Sequence, residues 1–147
     1  MMADTTKREI IVSREFDAPR ELVFAAFTEQ EHAEQWWLPK GGETHEWKPG
    51  LWRYSQPGHG SSGKMAFRVT FIEMDKPNKL VYDYGADMDN GPEPVRTNVT
   101  FEEQDGKTKV TLQLVFPTPA EREQAVKYGA IVGAMQALEG LAEYLEA

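Results

Sequence analysis

Three histidines, His32, His45 and His59, are the first residues to weigh for acid–base or metal chemistry, and their separations match no metal-ligand spacing. His32 falls among Glu29, Glu31 and Glu34 on a short polar helix, which reads as solvated surface. His59 lies in the Gly- and Ser-rich stretch 57–63, a hairpin-loop composition in which exposure is expected. His45 shares strand parity with Glu43, so a carboxylate–imidazole pair is open to it, although a surface position is the simpler expectation. Acid–base catalysis would require convergence with further polar groups such as Arg14, Tyr82 or Gln136. There is no cysteine, which excludes thiolate nucleophiles, disulfides and cysteine-ligated metals. No serine stands in a nucleophile elbow, and Gly58 and Gly60 precede a strand, the wrong context for a phosphate loop. Asp87, Asp89 and Asn90 lack the spacing and the closing glutamate of a calcium loop. The sequence thus offers no catalytic set, no metal site and no cofactor site.

Aromatic residues carry the signal that remains. Trp36, Trp37, Trp47, Trp52, Tyr54, Phe67, Tyr82 and Tyr84 concentrate in the first two-thirds of the chain. Side chains that combine apolar area with a polar tip suit a core, and they equally suit a pocket that orients a ligand. On the second reading Trp37, Trp52, Tyr54, Phe67, Tyr82 and Tyr84 form a cavity wall. Gly133, Met135 and Gln136 would face them from a C-terminal helix.

These residues need elements to position them. The longest candidate spans 118–147. Thr118, Pro119 and Glu121 supply a capping box with proline at the first helical position. Tyr128, Ile131, Met135, Leu138, Ala142 and Leu145 then recur at helical spacing, which predicts one helix of roughly 28 residues, about 40 Å long. Gly129, Gly133 and Gly140 interrupt it, each costing about 1 kcal/mol relative to alanine. They serve either close packing on a sheet or space for a cavity.

Upstream, 8–16 reads as a strand with Ile10, Val12 and Phe16 on one face. Arg14 shares that parity and needs a carboxylate or a ligand if it points inward; a bulge turning it to solvent is the simpler expectation. A short helix over 19–27 has the stripe Leu22, Val23, Ala26 and Phe27. A second, capped by Thr28, runs to Trp37 before Pro39. Adjacent tryptophans lie about 100° apart on a helix, so one of Trp36 and Trp37 is expected in the core and the other at an edge. About six strands follow, with Asp105-Gly106 marking the last hairpin. Helices gathered against an antiparallel sheet predict an α+β fold in which a curved sheet grips the final helix.

A length of 147 residues, 40% of them hydrophobic, fits one domain over 1–147. The formal charge of −8 argues against a nucleic-acid partner. No apolar run reaches the ~20 residues needed to span a bilayer, and the N-terminus lacks a signal-peptide core, so a cytoplasmic location away from membranes is expected. Monomer and homodimer both remain open.

The stretch Phe16-Asp17-Ala18-Pro19-Arg20-Glu21-Leu22-Val23-Phe24 resembles the opening of bacterial activator of Hsp90 ATPase homologue-like proteins, of the START/Bet v 1-like (SRPBCC) superfamily. Glu34-Gln35-Trp36-Trp37-Leu38-Pro39-Lys40-Gly41 resembles that family's Trp-Trp motif, and Lys48-Pro49-Gly50-Leu51-Trp52-Arg53-Tyr54 its next hairpin. The segments from Gly129 to Gly133 and from Leu138 to Leu145 are similar to its last helix. The resemblance implies a helix-grip fold and a cavity for a small hydrophobic or aromatic ligand between the C-terminal helix and the sheet. It also admits two alternatives: a chaperone-interacting, stress-related module, and a cyclase- or hydrolase-like enzyme. It supplies no catalytic constellation.

Overall fold

The computed structural model describes residues 6–58 and 63–146. Strand β1 (Glu9–Phe16) leads into two short helices, α1 (Arg20–Thr28) and α2 (Gln30–Trp36). Six strands follow: β2 (Glu43–Lys48), β3 (Leu51–Pro57), β4 (Lys64–Asp75), β5 (Lys79–Ala86), β6 (Val95–Gln104) and β7 (Lys107–Val115). Helices α3 (Pro119–Lys127) and α4 (Ala130–Glu146) end the chain. All seven strands join one antiparallel sheet in the order β1-β7-β6-β5-β4-β3-β2. The fold is α+β and helix-grip, as the sequence predicts.

Hairpin chemistry sets the register. Asp105 (φ 55°) and Gly106 (φ 79°) occupy successive left-handed positions between the paired Gln104 and Lys107, the geometry that a two-residue hairpin demands. Inward parity then follows along each strand. Val99, Phe101, Val110 and Leu112 are buried together with Ile10, Val12 and Phe16. The helices close over this face. Phe24, rather than the expected Leu22, completes the buried stripe of α1, edge-on to Phe101 with ring centroids 5.2 Å apart. Leu22 is turned toward solvent.

Three local expectations change. Thr28 does not cap α2: its hydroxyl donates to the Phe24 carbonyl four residues back, so it stays in the last turn of α1 and Glu29 becomes the cap residue. Arg14 is not bulged outward, because β1 pairs with β7 without a register break. Its guanidinium forms an ion pair with Glu139 of α4, tying the edge strand to the helix.

The third change concerns the C-terminal helix, which is two helices. Thr118 accepts a hydrogen bond from the Glu121 amide, as the capping box predicts, and Pro119 starts α3. At Gly129 the backbone turns left-handed (φ 92°) and the Gly129 amide donates to the Val126 carbonyl, ending α3. Helix α3 has no buried residue. Burial falls instead on the second half of α4, at Leu138, Leu141 and Ala142. The three glycines therefore do different things: Gly129 breaks the helix, Gly140 lies near the Trp36 carbonyl of α2, and an added Cβ on Gly133 would meet nothing within 4 Å.

Candidate functional site

The fully buried residues of α4 all lie in its second half, and between its first half and the sheet is a recess of about 530 Å³. The volume lies in the range of small-molecule sites. The sheet side is formed by β5 through Tyr82 and Tyr84, β6 through Val95 and Thr97, and β7 through Leu112 and Leu114. Ala130, Gly133, Ala134, Gln136, Ala137 and Leu138 of α4 form the facing side, and Trp36, Trp37 and Pro39 close one end.

Of the nine wall residues named from sequence, Trp37, Tyr82, Tyr84, Gly133 and Gln136 line this recess. Trp52, Tyr54 and Phe67 stand one layer behind it. Trp52 is fully buried and packs edge-on against Trp37 at 5.2 Å between centroids, while Phe67 stacks on Tyr84 at 5.4 Å and 10°. Met135 is a correction. It is 58% exposed on the outward side of α4, since the helix approaches the core along the Ala134 and Leu138 line rather than the Met135 line. Trp36 and Trp37 also depart from expectation: both are half-buried and both line the recess, with Trp36 held by its indole N–H donating to the Ala26 carbonyl at 2.8 Å.

Val95, Thr97, Leu112, Leu114 and Phe116 alternate along the sequence as inward sets of their strands, and that alternation alone does not connect them to the recess. One signal was available, because Thr97 is the lone polar residue in the inward series Val95, Thr97, Val99 and Phe101.

Hydroxyl groups dominate the polar part of the wall. Tyr54 donates to the Tyr84 hydroxyl at 3.4 Å, and Tyr82 shares a hydrogen bond with Thr97. Burial raises the ionisation of all three phenols above the ordinary tyrosine range, with neighbouring tyrosines reinforcing the effect at Tyr54 and Tyr82. They face the recess, or support it, as neutral groups.

The histidines take no part. The Nδ1 atom of His32 lies 2.6 Å from the Tyr144 hydroxyl, joining α2 to α4, so His32 is half-buried rather than fully solvated. His45 sits at a bulge in β2 and hydrogen-bonds Ser55 at 2.7 Å, whereas Glu43 pairs with Lys64. His59 lies outside the described residues. Of the four polar groups whose convergence an acid–base mechanism needs, Tyr82 and Gln136 line the recess, whereas Arg14 and His45 are engaged elsewhere. Glu29, Glu31 and His32 bring potential ligand atoms within 4.8 Å of one another on the exposed start of α2, away from the recess.

On the opposite face of the sheet, Arg53 and Arg68 stand directly across from each other on β3 and β4. Asp87, its side chain 6% exposed, receives hydrogen bonds from both guanidinium groups, from Arg53 at 2.8 Å and from Arg68 at 2.9 Å. Burial pushes the Asp87 carboxyl up, but the two arginines outweigh it and hold it below the usual carboxylate range. This charge cluster anchors the chain just beyond Tyr84, and the calcium-like appearance of 87–90 reduces to that anchor.

The seven-stranded antiparallel sheet gripping its last helix is a helix-grip fold. The model of the family described as activator of Hsp90 ATPase homolog 1-like protein matches residues 17–146, and the chain belongs to that family. Solved structures agree in fold. A crystal structure of a Mycobacterium smegmatis protein is 20% identical with a TM-score of 0.82, covering 99% of this chain and 95% of that one. A solution structure from Staphylococcus epidermidis is 27% identical with a TM-score of 0.78, covering 99% and 94%. A third, from Arthrobacter aurescens, is 20% identical with a TM-score of 0.83, covering 99% and 90%. No curated protein matches the sequence. No helix among the described residues is long and apolar enough to cross a membrane.

Proposed function

We propose that this protein is a binding module for a small hydrophobic or aromatic ligand held between α4 and the sheet. The observation that carries this reading is the recess itself, about 530 Å³, walled by aromatic and aliphatic side chains with a few hydroxyls among them. Recesses of this composition gain affinity from apolar burial and orientation from a small number of polar atoms. The aromatic layer behind the wall, Trp52, Tyr54 and Phe67, keeps the lining side chains in fixed rotamers, so little ordering entropy is lost on binding. Membership of the family supports the same reading, since its wider superfamily is associated with hydrophobic ligands. Trp36 and Trp37 at the end of α2, with Pro39, close one end of the recess, where they would control access to it.

Thermal-shift measurements with lipids, flavonoid-like and polyketide-like aromatics test this. A ligand that binds only the folded state stabilises it by about 2.7 kcal/mol at roughly 100 times its Kd. A concentration-dependent rise in Tm with at least one class is expected, and Gly133→Leu, which projects a side chain into the recess, should abolish it. The absence of any shift across all classes would overturn the proposal.

A further inference from the structure

Every polar side-chain group on the recess wall is uncharged: the hydroxyls of Tyr82, Tyr84 and Thr97, the amide of Gln136 and the indole N–H groups of Trp36 and Trp37. No aspartate, glutamate, lysine, arginine or histidine lies among the described residues that line it. Four arginines of the strands are committed elsewhere. Arg14 is paired with Glu139, Arg53 and Arg68 with Asp87, and Arg96 with Asp83. Arg8 donates to the Phe116 carbonyl and lines a separate depression on the outer side. A carboxylate or ammonium entering the recess would shed its hydration and meet no counter-charge, which is strongly unfavourable. A neutral molecule meets no such barrier.

The hydroxyl pair sets a polarity. Tyr54 donates to Tyr84, so the Tyr84 oxygen is used as an acceptor, and its own hydrogen has no acceptor among the described residues. Tyr84 lines the recess and Tyr54 does not. The Tyr84 O–H is therefore left as a donor at the recess wall. Resting on the ligand-binding reading above, we infer that the recess selects uncharged aromatic molecules bearing a hydrogen-bond acceptor, such as an aryl carbonyl, which takes the Tyr84 O–H bond. Flat aromatic area meets Trp37 and Tyr82, and the carbonyl oxygen meets Tyr84.

Equilibrium dialysis at neutral pH with four probes on one skeleton tests this: acetylnaphthalene, ethylnaphthalene, naphthoate and naphthylmethylammonium. Acetylnaphthalene should bind most tightly, and the anion and the cation each at least about tenfold more weakly. Tyr84→Phe should weaken acetylnaphthalene about five- to tenfold, to the level of ethylnaphthalene, and leave ethylnaphthalene unchanged. Naphthoate or the ammonium binding as tightly as the ketone overturns the selection for neutral ligands while the recess remains a binding site. Equal affinity of the ketone and ethyl probes for the unaltered protein overturns the acceptor assignment, whether or not the Tyr84 variant folds. If none of the four binds, this inference fails together with the reading on which it rests.

Discussion

At the scale of single residues, the three phenols at and behind the recess have a consequence for the whole titration curve. Tyr54, Tyr82 and Tyr84 keep their protons in the folded state above the ordinary value of 10.0, because burial disfavours the phenolate. The unfolded chain loses those protons near 10.0 while the folded chain still holds them. Stability is thus full below that pH and falls as pH rises through it. Alkaline titration should show tyrosinate absorbance from these three appearing together with loss of far-UV circular dichroism, not before it. Asp87 works with the opposite sign: its carboxyl is depressed, so its contribution is present above 3.8 and fades as pH falls below it. Asp87→Asn should lower stability by about 1 kcal/mol in urea denaturation, a figure kept small because the two guanidinium groups are partly solvated. Parity along a strand was enough to find Tyr82 and Tyr84 in the sequence. It was not enough to separate wall from second layer, since Tyr54 and Tyr84 face the same way and only Tyr84 borders the recess.

At the scale of elements, glycine chemistry in α3 and α4 distinguishes a hinge position from a spacer. Gly129 holds a left-handed backbone, so Gly129→Ala should destabilise the protein by about 1 kcal/mol. Gly133 is helical with open space where a Cβ would be, so Gly133→Ala should stabilise it by up to about 1 kcal/mol. Chemical denaturation with an unchanged m-value checks both. The capping box at Thr118 was legible and real; the break at Gly129 was not read, because the apolar repeat runs through it without losing phase. Tyr128 shows why the repeat misled: it keeps the helical spacing and is nonetheless exposed. The failed cap at Thr28 has a comparable origin, since the same hydroxyl can serve the preceding helix or start the next.

At the scale of the whole molecule, α4 is anchored at one end. Leu138, Leu141 and Ala142 are buried and Tyr144 reaches His32, whereas Val132 and Met135 face solvent. Amide hydrogen exchange should therefore be at least about tenfold slower over 138–143 than over 131–136, and a bound ligand should narrow that difference by adding contacts beneath the first half. The α+β grip was legible because alternating strands, a hairpin turn and an amphipathic C-terminus agree with one another. The recess was legible only as a space of unknown extent. Its size depends on the tilt of α4, which is set by long-range contacts with β1 and α2, including the Arg14–Glu139 pair.

The aromatic wall also has an optical consequence. The protein has four tryptophans, and they form one unbroken series: Trp36 to Trp37 at 5.6 Å, Trp37 to Trp52 at 5.2 Å, and Trp52 to Trp47 at 5.0 Å between ring centroids. Indoles this close pass excitation among themselves faster than they emit it. Light absorbed by any of the four is shared along the series, and two of its members line the recess. The emission of the molecule is accordingly that of a single depolarised array, and an acceptor lodged beside Trp37 would darken all four at once.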